Sequence, residues 1–244
     1  MIRSLLARSI PTSAVRQLRR LTRYPRVGGV DLGDLRRLSP ISKRWGFDRG
    51  LPIDRYFIEK FLESHRSDLR GAVLEVGDAT YTKKFAAAEL GSIDVVHFAE
   101  GNPAATIVAD LCQAPQIEDG RFDCIICTQT LQFVSDPAAA IATLYRILRP
   151  GGVLLLTAPC LSQLDLDPSI SWADRWRFTT TALRELAQAC TGEGDHLEVS
   201  AFGNVLAATA FLQGLASGEL EAKELDATDH MFEMLVTMHL QKKA

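Results

Sequence analysis

No apolar run in this chain approaches the ~20 residues that a membrane-spanning helix needs. Cysteine is sparse and odd in number: Cys112, Cys124, Cys127, Cys160 and Cys190. An odd count in a mid-sized chain without a secretory signal points to reduced thiols and a cytoplasmic setting. Cys124 and Cys127 stand three apart inside an apolar strand, so their side chains point to opposite faces, which excludes a shared metal or a redox pair. They are expected to be small buried apolar residues. No metal site is expected. The five histidines (His65, His97, His196, His230 and His239) have no partner identifiable from sequence and are read as surface or core. Net charge is only −3, which gives no global attraction to nucleic acid or an anionic membrane. There is no internal repeat and no low-complexity segment.

Acids are missing from the N-terminus. Residues 1–30 hold seven arginines and no Asp or Glu before Asp31. Three readings stay open: a solvated arm, a tether giving peripheral membrane contact or holding a lipid-linked substrate, and an organelle transit peptide. Pro25, Gly28, Gly29, Gly33, Pro40 and Gly46 punctuate the stretch. Residues 1–50 are therefore read as a basic arm and 51–244 as one domain.

From Pro52 the pattern changes. Ile53, Tyr56, Phe57, Phe61 and Leu62 recur at helical spacing, which predicts an amphipathic helix. Short apolar runs then alternate with helical segments. Strands are expected at Ala72–Val76, Asp94–Phe98, Ala105–Ala109, Phe122–Cys127 and Val153–Ala158. Helices are expected at TKKFAAAEL (82–90) and PAAAIATLYRIL (137–148). Continuous apolar strands suit a sheet covered on both faces, and repeated βα units imply parallel strands with right-handed crossovers. Beyond them come a long polar-aromatic loop (161–178), a helix capped by Thr179 or Thr180, a strand in HLEVSAFG, an apolar helix in NVLAATAFLQGLA, and a terminal strand in FEMLVTMHL. The fold class is α/β, a doubly wound Rossmann-like sheet of seven strands, mostly parallel.

LEVGDATYT (74–82) follows a strand and opens a helix, the place for a backbone-lined cofactor turn. With FDCIICTQTLQFV (122–134) and LRPGG (148–152), this order resembles class I S-adenosylmethionine-dependent methyltransferases of the type 11 kind. The resemblance implies a last strand inserted antiparallel and S-adenosylmethionine as cofactor. It carries the glycine-rich turn onto Glu75, Gly77, Asp78, Ala79 and Tyr81, where only the first glycine remains. It carries the ribose-binding acid onto Glu100, the adenine-flanking pair onto Asp110 and Leu111, and cofactor contact onto Thr128 and Gln129. Where many relatives place a histidine base, this chain has Phe133.

Further segments narrow the likeness: Trp45–Leu62, Glu75–Phe85, Gly101–Pro103, TQTLQ (128–132), WADRWRFT (172–179) and Gly203–Ala216. Together they look like a bacterial group found beside, or fused to, glycosyltransferases of surface-polysaccharide synthesis, in which Gly-Asp-x-x-Tyr-Thr replaces the glycine-rich turn. The expected substrate is a small molecule or glycan, methylated on a sugar hydroxyl; nucleic acid is not expected. In the aromatic loop, Trp172 and Trp176 offer flat faces to a sugar and Arg177 a fork for an anion. Gln132 is expected to orient a hydroxyl and Asp174 to act as the base. The alternative is a methyltransferase-like domain that has lost catalysis and serves as a binding or scaffold module.

Overall fold

The computed structural model describes residues 25–86, 90–166 and 173–244. The chain divides into two units, 1–39 and 40–244. In the first, residues 25–39 are all exposed and hold one short 3-10 turn at Gly33–Leu35. Of the seven arginines, only Arg26 lies within the described residues.

The second unit is built on one seven-stranded sheet. Its strands are β1 (Gly71–Val76), β2 (Leu90–His97), β3 (Ile107–Val108), β4 (Phe122–Thr128), β5 (Leu148–Pro159), β6 (His196–Phe202) and β7 (Leu235–Gln241). They lie in the order β3-β2-β1-β4-β5-β7-β6. Pairing is parallel except where β7 runs antiparallel between β5 and β6. The chain reverses direction across the sheet at β1/β4, the switch point where ligands of open α/β sheets sit.

Among the described residues six helices flank the sheet: α1 (Ile53–Ser64), α2 (Thr80–Phe85), α3 (Pro137–Ile147), α4 (Thr180–Gln188), α5 (Val205–Leu212) and α6 (Ala222–Asp226). Side-chain alternation along the strands builds two cores. Leu154 and Leu156 of β5 pack with Ile141, Leu144 and Leu183 of α3 and α4. Val153 and Leu155 pack with Phe57 and Phe61 of α1 and Phe211 of α5. Cys124 joins the second core and Cys127 the first, as strand geometry requires. Burial pushes the Cys127 thiol up to about 12, so both cysteines act as apolar filler.

Local chemistry sets the helix ends. Asp136 caps α3 by accepting from the Ala139 N–H at 3.1 Å, with Pro137 in the first turn. Thr179, rather than Thr180, caps α4. Asn204 caps α5, accepting from Leu206 and Ala207 N–H.

Several boundaries differ from the sequence reading. α2 spans only residues 80–85, and β2 already begins at Leu90; residues 87–89 lie outside the described set. At Leu90 helix propensity yields to strand pairing, Leu90 and Ser92 lying opposite Gly71 and Ala72 of β1. The Pro-Gly-Gly segment lies beyond the end of α3, which stops at Ile147. It forms an irregularity inside β5: Phe122 pairs with Leu148, yet Cys124 pairs with Val153. Gly152 is required there, since a Cβ would lie 2.9 Å from the Arg149 carbonyl oxygen and 3.0 Å from that of Phe122. The short helix α6 has no counterpart in the sequence reading.

Residues 40–50 pack within the second unit. Ser42 N donates to the Gln213 carbonyl at 3.0 Å, and Ser217 N to that of Leu51 at 2.8 Å. This carries Trp45 and Phe47 toward the carboxyl ends of the strands.

Candidate active site

The turn after β1 is held from three sides. Glu75, only 2% exposed, accepts from Tyr81 N at 3.0 Å and Thr82 N at 2.7 Å, fastening the first turn of α2. Burial pushes its carboxyl up, opposed by those amides. Asp78 accepts from Thr80 N at 2.7 Å. Asn102 donates to the Gly77 carbonyl at 2.6 Å, so the Gly-Asn-Pro loop after β2 braces the turn.

Gly77, at φ +96°, borders a cavity of about 340 Å³ at the strand ends. Val76 and Gly77 line it from β1, His97 and Phe98 from β2, Asp110 and Leu111 from β3, and Thr128, Gln129 and Thr130 from β4. No atom lies within 4 Å of a Cβ built at Gly77, so the backbone there faces open space. The other turn positions are elsewhere. Ala79 is buried, and the Tyr81 ring packs against Phe85 with centroids 6.1 Å apart. Burial raises the Tyr81 hydroxyl to about 12. Neither residue lines the cavity, so the two substituted glycines do not obstruct it. A flat heterocycle with a ribose fits this cradle of glycine backbone, Phe98, Leu111 and one carboxylate.

That carboxylate is Asp110, the one acid among the described lining residues; its Oδ1 also accepts from Cys112 N at 2.8 Å. Glu100 is exposed and outside the lining. β2 ends at His97, and Glu100 lies three residues further on, so the expected ribose acid does not line the cradle.

A second cavity of about 170 Å³ shares Gln129 and Phe133 with the first. It brings Gln132, Asp174 and Arg177 together with residues the sequence reading did not assign to the site, among them Trp45, Phe47, Asp54 and Arg55. Asp174 Oδ1 and Oδ2 pair with Arg177 Nη1 and Nη2 at 2.5 and 3.0 Å, and Asp174 Oδ2 also accepts from Asp165 N. Arg177 further donates to the carbonyls of Gln163 and Trp176. Both side chains are thus occupied in holding their own loop. That loop is latched to the segment after β4: Arg175 N and Trp176 N donate to the Gln132 carbonyl, Arg175 Nη1 to that of Phe133, and Trp176 Nε1 to that of Val134. Trp176 lines a separate groove with Pro137 and Leu186. Trp172 lies outside the described residues.

Backbone strain gathers here. Among the described non-glycine residues only Trp45 (φ +54°) and Gln129 (φ +49°) are left-handed, and both line the second cavity. Such strain concentrates at functional sites. Trp45 and Phe47, which line this cavity, were legible only as part of a segment likeness, because nothing local says where residues 40–50 pack.

Strand order and the antiparallel β7 define the class I methyltransferase fold. Within it, residues 71–156 match the family described as "Methyltransferase domain", and the cofactor of that class is S-adenosylmethionine. The chain is 33% identical over 90 residues to a ubiquinone/menaquinone biosynthesis C-methyltransferase of Francisella philomiragia, covering 37% of this chain and 30% of that protein. It is 41% identical over 69 residues to an uncharacterized 37.1 kDa transposon protein of Streptomyces fradiae, covering 28% and 20%. The chain thus spans under a third of the length of these curated relatives. A solved S-adenosylmethionine-dependent methyltransferase of Archaeoglobus fulgidus aligns over 77% of this chain and 94% of its own, with a TM-score of 0.50 at 11% identity, a likeness of fold.

Proposed function

We propose that this protein is an S-adenosylmethionine-dependent methyltransferase that methylates a hydroxyl of a small molecule or glycan, with a sugar hydroxyl as the favoured acceptor. The observation that carries the reading is the pair of adjoining cavities at the strand ends, one suited to a nucleoside and one to an acceptor, with Gln129 and Phe133 between them.

Gly77, Asp110, Leu111, Thr128 and Gln129 would hold the cofactor, which supplies an activated methyl group on sulfur. The protein's own task is alignment of donor and acceptor and exclusion of water. The loop latched by Arg175 and Trp176 to the residues after β4 serves the second purpose. Place in surface-polysaccharide synthesis follows from the sequence resemblance alone and belongs to the same proposal, as does membrane contact through the basic arm. The scaffold reading rests on the altered turn and on Phe133 standing where relatives place a histidine; the first ground weakens because Ala79 and Tyr81 stand outside the cavity.

Calorimetry of the full chain with S-adenosylmethionine and S-adenosylhomocysteine tests the reading. Binding of both is expected, abolished in Gly77→Val, where a branched side chain would enter the cradle. Failure of the unaltered chain to bind either compound overturns it.

A further inference from the structure

The second cavity has a recognisable polar character. All its described cations are paired: Arg55 with Asp54 at 3.2 Å and Arg177 with Asp174 at 2.5 Å. Among the described lining residues an anionic acceptor would find no unpaired positive charge. Two buried amide atoms, in contrast, lack hydrogen-bond partners among the described residues: Gln129 Nε2, a donor, and Gln132 Oε1, an acceptor. Gln132 is only 6% exposed. Its Nε2 reaches Gln129 Oε1 at 3.5 Å, so the two side chains are neighbours. Unsatisfied buried polar groups are costly. A hydroxyl, which donates and accepts at once, satisfies both. Exchanging O and N in both amides together keeps their mutual contact and leaves the same complement, one donor and one acceptor.

A neutral hydroxyl must still lose its proton as it is methylated. Asp174 is held by Arg177 and by Asp165 N–H. Asp54, in the first turn of α1, faces the same cavity. Its side chain is 14% exposed, and its oxygens meet Arg55 N at 2.8 Å and Arg55 Nη1 at 3.2 Å, both from one neighbouring residue. Around it stand Arg55 on α1, Tyr81 on α2, and Asp165, Asp174 and Arg177 across the cavity. Burial pushes its carboxyl up, and Arg55 opposes this. A carboxyl raised in this way is a better proton acceptor than an exposed aspartate.

We propose that Asp54 is the proton acceptor for a neutral hydroxyl-bearing acceptor bound in the second cavity and oriented by the Gln129 and Gln132 amides. The inference rests on the methyltransferase reading above. The O–H bond breaks, its proton passes to a carboxylate oxygen of Asp54, and its electron pair forms the new bond to the methyl carbon, whose former bonding pair stays with sulfur.

The test uses the full chain saturated with S-adenosylhomocysteine, whose binding is measured first. Failure at that stage counts against the methyltransferase reading; the later stages count for or against Asp54 alone. The probes are the methyl glycosides of glucose, galactose and mannose, with glucuronic and galacturonic acids as anionic counterparts. Titration is followed by NMR on the Asp54 carboxyl carbon and the Gln129 and Gln132 side-chain amides. The neutral glycosides are expected to shift all three signals and the uronates to leave them in place. Neutral probes that move none of them overturn the proposal. With the probe that binds best, Asp54→Asn is expected to lower kcat about 100-fold or more, with KM and S-adenosylhomocysteine affinity held within about threefold. Asp54→Glu should recover part of the rate. Arg55→Gln should move the acid limb of the kcat profile to higher pH, because loss of the cation makes the carboxylate harder to ionise. Retention of kcat within about threefold in a folded Asp54→Asn protein overturns the assignment. Should that variant fail to fold, an unmoved acid limb in Arg55→Gln overturns it instead.

Discussion

The carboxylate of Glu75 lies 2.7 Å from the backbone nitrogen of Thr82 and spans the gap between the end of β1 and the start of α2. It does for this turn what a serine or aspartate cap does for other helices, but from within the sheet. Glu75→Gln replaces one acceptor oxygen with a donor facing an N–H group. The buried donor left without a partner should cost about 1–3 kcal/mol. Urea unfolding should show a lower midpoint at unchanged slope, and S-adenosylhomocysteine affinity should fall with it, because the same turn carries Gly77.

Asp110 and Glu100 separate the geometric reading from the sequence reading. Asp110 lines the first cavity and Glu100 does not. Asp110→Asn should weaken S-adenosylhomocysteine binding by about 1.5–3 kcal/mol, the range for a hydrogen bond to a charged group. Glu100→Ala should leave it unchanged. Calorimetry decides, and the reverse result would return the ribose contact to Glu100.

Gly46 and Gly214 govern the docking of residues 40–50. Gly214 has φ +71°, and a Cβ there would meet the Ser42 carbonyl oxygen at 2.2 Å; Gly46 has φ +93°, and its Cβ would meet that of Leu215 at 2.8 Å. Gly214→Ala should cost about 1–3 kcal/mol from backbone strain alone and expel the segment. Limited proteolysis should then cut within 40–50 faster. The first cavity takes no residue from this segment, so S-adenosylhomocysteine affinity should hold while glycoside binding is lost.

His239 makes stability pH-dependent. Its ring stacks on His65 at 4.7 Å, meets His196 edge-on at 5.9 Å, and contacts Asp68 Oδ2 at 3.1 Å. Burial lowers its proton affinity below the ordinary 6.5, helped by the neighbouring histidines and opposed by Asp68. The unfolded chain therefore binds the proton more readily than the folded one. The stabilisation is complete above about pH 6.5 and is lost as pH falls through the folded value. Thermal melts from pH 7.5 to 5.0 should show a decline that His239→Gln flattens.

Much of this architecture was written locally. Alternating apolar runs around FDCII and VLLLT demanded a sheet covered on both faces, and Asp136-Pro137 and Asn204 fixed helix starts through groups one to three residues away. Gly77 was legible as a cavity residue because it directly follows β1, and strand ends of an open α/β sheet converge by topology; Asp110, Leu111, Thr128 and Gln129 were legible through the family resemblance, which places cofactor contacts at the ends of β3 and β4. What lay beyond reach was every relation between distant segments. Whether Tyr81 would fill the cradle depended on which face of α2 met α1. Asp174 looked available until folding set Arg177 against it. Asp54, on the opening turn of an ordinary amphipathic helix, gained its place only when the docked N-terminal segment and the latched loop closed a cavity around it. The sequence dictates what depends on a residue and its near neighbours; enclosure, and the chemistry that enclosure confers on a carboxylate, exists only once separate parts of the chain pack together.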